Sequence, residues 1–207
     1  MFSNKKNDES LDIDSDIILA RPKSDGLENL CKITHYNKEE LKLIYQGFKQ
    51  ECPNGYCSKE EFVEIFGKFF PQGDATKYAH LVFNTFKPMC DQQTHGCLNF
   101  EQFIKTLSLL SRGPMKEKLN WIFNLYDIDR DGYISKNELF LLTNAIYELL
   151  GDHAIPLSDI RTAKDHADKF FMEIDLDKDG LISFDEFVNW CINDPRIEEF
   201  DKFNTFI

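Results

Sequence analysis

Two twelve-residue stretches carry the chemistry of this chain, 127–138 and 175–186. Asp127, Asp129 and Asp131 stand at positions 1, 3 and 5 of the first, and Asp175, Asp177 and Asp179 at the same positions of the second. Position 6 is glycine in both (Gly132, Gly180), and position 12 is glutamate (Glu138, Glu186). This spacing suits Ca²⁺, a hard cation that takes roughly six to eight oxygen ligands. Glycine serves position 6 because the chain must turn there with positive φ. Position 7, Tyr133 or Leu181, supplies a backbone carbonyl, and position 9, Ser135 or Ser183, acts through a water. Glutamate at position 12 reaches far enough to ligate with both oxygens, which favours Ca²⁺ over the smaller, octahedral Mg²⁺. An acidic surface turn would match such a pattern once by accident, but two complete matches with helix-like flanks are not explained that way.

The elements that position these loops repeat. Asn37 and Glu40 have the spacing of a capping box, and Leu41, Ile44, Tyr45 and Phe48 then share one helical face. The same periodicity returns at Ala79, Val82, Phe83, Phe86, at Leu119, Ile122, Phe123, Tyr126, and at Ala167, Phe170, Phe171, Ile174. A glycine-bearing loop follows each set, and a second amphipathic helix follows each loop, opened by Phe62, Phe103, Leu139 or Phe187. The chain is therefore expected to be all-α: four EF-hands (helix–loop–helix units) in two paired lobes, with short two-stranded β contacts at position 8 of the loops. Ile134 and Ile182 are the expected partners in one pair, Cys57 and Leu98 in the other. Ser111-Arg-Gly-Pro114 punctuates between the lobes. The expected divisions are a mobile tail 1–35, an N-terminal pair 36–112, a C-terminal pair 113–193, and a C-terminal helix 194–207 with Ile197, Phe200, Phe203 and Ile207 on one side.

Spacing also separates working loops from silent ones. Tyr126 to Leu139 and Ile174 to Phe187 are each 13 steps, which leaves room for twelve residues. Phe48 to Phe62 is 14 steps, and the loop 50–61 carries Cys52, Pro53 and Cys57 but no aspartate. Proline fixes φ and removes a donor, and cysteine is a poor ligand for a hard cation. Phe86 to Phe103 is 17 steps, and the loop 87–102 absorbs the excess in Lys87-Pro-Met-Cys90. There Asp91, Gln93 and His95 fall at positions 1, 3 and 5, and Gln102 at 12, where a neutral amide cannot replace a bidentate carboxylate. Cys52, Cys57, Cys90, His95 and Cys97 all fall in these two loops, but without a Cys-x-x-Cys spacing they read as reduced thiols rather than a zinc site.

Composition bounds the rest. The chain has 207 residues, a formal charge of −12 and 19 phenylalanines. Such an acidic protein repels nucleic acid and anionic lipid and favours apolar or basic peptides. No apolar run is long enough for a membrane span or a signal peptide. Phe2 excludes N-myristoylation of this form, so membrane association is expected to be indirect and the location cytoplasmic, at the plasma membrane through a partner. No nucleophile elbow, P-loop or HExxH is present, and an enzyme is not expected.

Glu51-Cys-Pro-Asn-Gly55 in the silent first loop resembles the neuronal calcium sensor family. Tyr45-Gln-Gly-Phe-Lys-Gln-Glu-Cys-Pro53, Phe69-Phe-Pro-Gln-Gly-Asp74 and Leu119-Asn-Trp-Ile-Phe-Asn-Leu-Tyr-Asp127 are most similar to its Kv channel-interacting branch, that of calsenilin. Ser111-Arg-Gly113 and Asp131-Gly-Tyr-Ile134 also resemble frequenin-type sensors. The resemblance covers about 36–207 and implies a hydrophobic groove that holds a helix of a target protein. For the channel-interacting branch that target is the N-terminus of an A-type voltage-gated potassium channel. Phe62, Phe66, Phe69, Phe83 and Phe103 are the candidates for groove walls, with core packing as the alternative for each. The expected function is a calcium sensor with two Ca²⁺ sites. The alternatives are a sensor for a receptor kinase, guanylate cyclase or lipid kinase, a pure calcium buffer, or calcium-regulated DNA binding, which the charge disfavours.

Overall fold

A computed structural model describes residues 26–86, 96–151 and 163–193. The expected C-terminal helix 194–207, Asp91, Gln93 and His95 lie outside the described residues. The chain forms two compact units, one ending at Gly55 and one beginning at Tyr56.

The first unit holds α1 (Leu27–Ile33) and α2 (Lys38–Glu51), which pack on each other. α1 falls within the stretch expected to be a mobile tail. Its Leu27 and Leu30 lie one turn apart on one face and are buried, which gives this short helix a reason to stay. α2 starts where the capping pattern places it. The Asn37 side chain accepts from the Glu39 and Glu40 amides, and Glu40 reaches back to the Asn37 amide. Leu41, Tyr45 and Phe48 form its buried face.

The second unit contains α3 (Lys59–Phe69), α4 (Thr76–Phe86), α5 (Phe100–Arg112), α6 (Met115–Tyr126), α7 (Lys136–Leu150), α8 (Ala163–Ile174) and α9 (Phe184–Asn193). Four short strands join them: β1 (Tyr56–Cys57), β2 (Leu98–Asn99), β3 (Tyr133–Ser135) and β4 (Leu181–Ser183). β1 pairs antiparallel with β2, setting Cys57 opposite Leu98, and β3 with β4, setting Ile134 opposite Ile182. Both position-8 pairs are thus as expected. Residues on both sides of the expected lobe boundary at 112/113 share this unit, because α4 packs on both α6 and α7.

One hydrophobic core gathers the faces read from periodicity: Leu119 and Phe123 from α6, Leu139 from α7, Ala167, Phe171 and Ile174 from α8, Phe187 from α9. Ile134 and Ile182 close it from the strands. Fully burying one such aliphatic or aromatic side chain stabilises by roughly 1.5–3 kcal/mol. Phe123 meets Phe184 and Phe187 edge-on, and Phe170 meets Trp190 likewise. Among the described residues no disulfide forms, and no helix is long and apolar enough to cross a membrane.

Candidate metal centres

Each acidic loop is built by the helices it joins. Asp127 caps α6, its amide donating to the Phe123 carbonyl, and Asp175 follows α8 in the same way through Phe171. Ser135 then starts α7. Its hydroxyl accepts from the Glu138 amide and donates to Glu138 Oε2, which also accepts from the Ser135 amide. Ser183 and Glu186 repeat this arrangement at the start of α9. A helix-capping device therefore fixes position 12 against position 9.

Within the first loop the carboxylates tie down the backbone. Asp127 accepts from the Asp131 and Gly132 amides at 3.1 and 3.0 Å, and Asp131 from the Tyr133 amide at 2.9 Å. Arg130 and Gly132 take φ of 64° and 89°, and Lys178 and Gly180 take 61° and 89° in the second loop. One oxygen each from Asp127, Asp129 and Asp131 lies within 4.8 Å of the others. In the second loop the group so gathered is Asp175, Asp177 and Glu186.

Glu138 and Asp179 stand outside these groups of three, and both are held by hydrogen bonds. Glu138 Oε1 reaches across its loop to the Ile128 and Asp129 amides at 2.8 and 3.2 Å. Asp179 accepts from the Leu181 amide at 2.8 Å. Tyr133 and Leu181, the expected carbonyl donors, open β3 and β4.

The electrostatics differ by position. Burial pushes the Asp127 carboxyl above its ordinary range, aided by the nearby Glu138 and Asp131 charges and opposed by amides of Gly132 and Arg130. At Glu138 and Glu186 burial also acts upward, but the hydrogen bonds from Ser135, Asp129 and Ile128, or from Ser183, Leu176 and Asp177, outweigh it and hold both below the ordinary range. Asp175 is buried, and its Oδ1 has no hydrogen-bond partner. A carboxylate oxygen left so is costly unless something positive meets it. All donors here are hard oxygens, so both loops fit a Ca²⁺ ion in kind.

The two other loops keep the frame without the charge. Gly55 and Gly96 turn with φ of 80° and 81°, as Gly132 and Gly180 do. Ser58 with Glu61, and Asn99 with Gln102, form the same capping box. Gln102 accepts through Oε1 from the Asn99 amide, which leaves it a neutral cap.

Of the aromatic groove candidates, Phe83 is a core residue at 2% exposure, in contact with Phe62 and Phe86. Phe62, Phe66 and Phe103 are half-buried, and Phe69 is 74% exposed. Phe66 stacks on both Phe62 and Phe70. A separate apolar cavity of about 460 Å³ opens beside α6, α7 and α9, with Trp121, Ile122, Leu142, Ile146 and Trp190 among its walls. Sequence reasoning missed Trp190 and Ile146 as walls. Their signal was apolar residues on helices already assigned one buried face. Tyr126 also lines this cavity, and burial, with smaller contributions from Tyr78 and Cys191, pushes its phenol up to about 12, so the wall stays uncharged.

Residues 116–192 match the family model of the EF-hand domain pair, and EF-hand domains bind Ca²⁺. The second half of this chain thus carries a paired EF-hand unit, with both acidic loops inside the matched span.

Proposed function

We propose that the protein is a non-catalytic calcium sensor that holds a helical segment of a target protein in the apolar cavity beside α6, α7 and α9. One observation carries this reading. Glu138 lies in the first turn of α7 and Glu186 in the first turn of α9, and those two helices supply Leu142, Ile146, Phe187 and Trp190 to the cavity. Asp127, Asp129, Asp131 and Glu138 would hold one ion, with the Tyr133 carbonyl, and Asp175, Asp177, Asp179 and Glu186 a second, with that of Leu181. A bound Ca²⁺ supplies the positive charge that offsets the clustered carboxylates. Glu138 and Glu186, which accept from loop amides here, would turn to the ion, and each lies in the first turn of a helix that forms a cavity wall. A pure buffer has no use for such a wall.

The target class follows from the resemblance to channel-interacting sensors: the apolar N-terminal helix of an A-type voltage-gated potassium channel, reached on the cytoplasmic side of the plasma membrane. The acidic charge supports an apolar or basic helix over nucleic acid. The test is titration of such a helical peptide into the full chain with Ca²⁺ and with chelator, read by tryptophan fluorescence. Tighter binding with Ca²⁺, lost in Trp190→Ala, supports the reading, and equal binding in both conditions contradicts it.

A further inference from the structure

α4 precedes the silent second loop, yet it is fastened at both ends to the first acidic loop and its outgoing helix. At its N-terminal side the chain runs backbone to backbone against the end of α7. The Asp74 amide donates to the Glu148 carbonyl at 2.8 Å, and Lys77 Nζ meets Glu148 Oε1 at 2.6 Å. A Cβ on Gly73 would stand 2.0 Å from the Leu149 carbonyl oxygen, and one on Gly151 would stand 2.6 Å from that of Gln72. This approach is therefore open only to glycine at both positions. At the C-terminal side of α4, Arg130 Nη2 donates to the Asn84 carbonyl at 2.7 Å. Arg130 is position 4 of the first acidic loop, and its φ of 64° belongs to that loop's turn. The carboxylates of both acidic loops bond within their own loops, but Lys178, at position 4 of the second, makes no bond among the described residues that matches that of Arg130 to α4.

We propose that the two acidic loops are not equivalent: the first, through Arg130 at one end of α4 and the Glu148 clasp at the other, sets the position of α4, while the second does not. The inference rests on the calcium-sensor reading and specifies its regulation. The silent hand is then a responder. It needs no ion, because its incoming helix is carried by α7, whose first turn contains Glu138. Tyr78 makes the consequence functional, since it projects from α4 into the same apolar cavity.

The experiment is amide hydrogen exchange over 76–86 in the full chain, in chelator and in saturating Ca²⁺, with calorimetry of Ca²⁺ uptake on the same samples. Wild type, Glu138→Gln, Glu186→Gln and the pair Arg130→Ala with Lys77→Ala are compared. Expected is a Ca²⁺-dependent change in exchange that Glu186→Gln keeps, Glu138→Gln abolishes, and the Arg130/Lys77 variant loses in large part while still taking up Ca²⁺. A response that follows Glu186, or one that survives the Arg130/Lys77 variant at full strength, overturns the proposal. Ca²⁺ uptake with no change in α4 exchange sinks the clasp alone, and no uptake by the wild type sinks the sensor reading together with it.

Discussion

Ile134 and Ile182 face each other across β3 and β4, at 1% and 0% exposure, each at position 8 of its loop. The two acidic loops are thus joined through one buried contact that also closes the hydrophobic core. Truncating Ile182 to alanine should destabilise the fold by about 2–5 kcal/mol in urea denaturation. It should also weaken Ca²⁺ uptake at both loops. Weakening confined to 175–186 would mean the strand pair does not couple them.

The positive-φ glycines separate fold from chemistry. Gly55 and Gly180 have φ of 80° and 89°, and a Cβ on either meets nothing within 4 Å. Alanine at either should therefore cost about 1–2 kcal/mol of stability through backbone conformation alone. Only Gly180→Ala should weaken Ca²⁺ uptake. Thermal denaturation paired with calorimetry checks both, and equal loss of Ca²⁺ uptake in the two variants would contradict the silence of the first loop.

Gly67 and Gly73 should respond in opposite directions. Gly67 lies inside α3 with open space around a Cβ, so Gly67→Ala should stabilise by roughly 0.5–1 kcal/mol. Gly73→Ala would drive a methyl into the Leu149 carbonyl and should lower the melting temperature. A neutral Gly73→Ala would show that the contact with the end of α7 is not maintained in solution.

The acid limb of the metal-free protein follows from Glu138 and Glu186. Both carboxyls are held below the ordinary glutamate value of 4.5 in the fold. A depressed folded pKa adds stability above the unfolded value, which is lost as pH falls through the folded value. Asp127, held above 3.8, acts in the opposite sense and offsets part of this. Replacing Ser135 and Ser183 by alanine removes a hydroxyl donor from each glutamate. In chelator, the double variant should begin to lose stability at higher pH than wild type, by tryptophan fluorescence. An unchanged acid limb would mean the hydroxyls do not hold these carboxylates.

Much of this architecture was legible because it is local. The ligand spacing, the capping boxes and the glycine turns each fit within one loop, and the position-8 pairing follows from the repeat. What was missed depends on distant segments. Nothing in Leu27-Glu-Asn-Leu30 announces a helix in a polar tail, since seven residues form one only when packing supports them. In the sequence Phe83 stays open between groove wall and core packing, because its burial depends on contacts such as that with Phe62 on another helix, which the periodicity of its own helix does not show. The clasp of Gly73 on α7 joins segments more than seventy residues apart, and a lone glycine in a Gln-Gly-Asp turn carries no mark of such an approach.

Calorimetric titration of Ca²⁺ into the metal-free chain tests the whole account most directly. Two ions should be taken up per chain, with one lost in Glu138→Gln, one in Glu186→Gln and both in the double variant. An untouched titration in the double variant, or no uptake by the wild type, would contradict it.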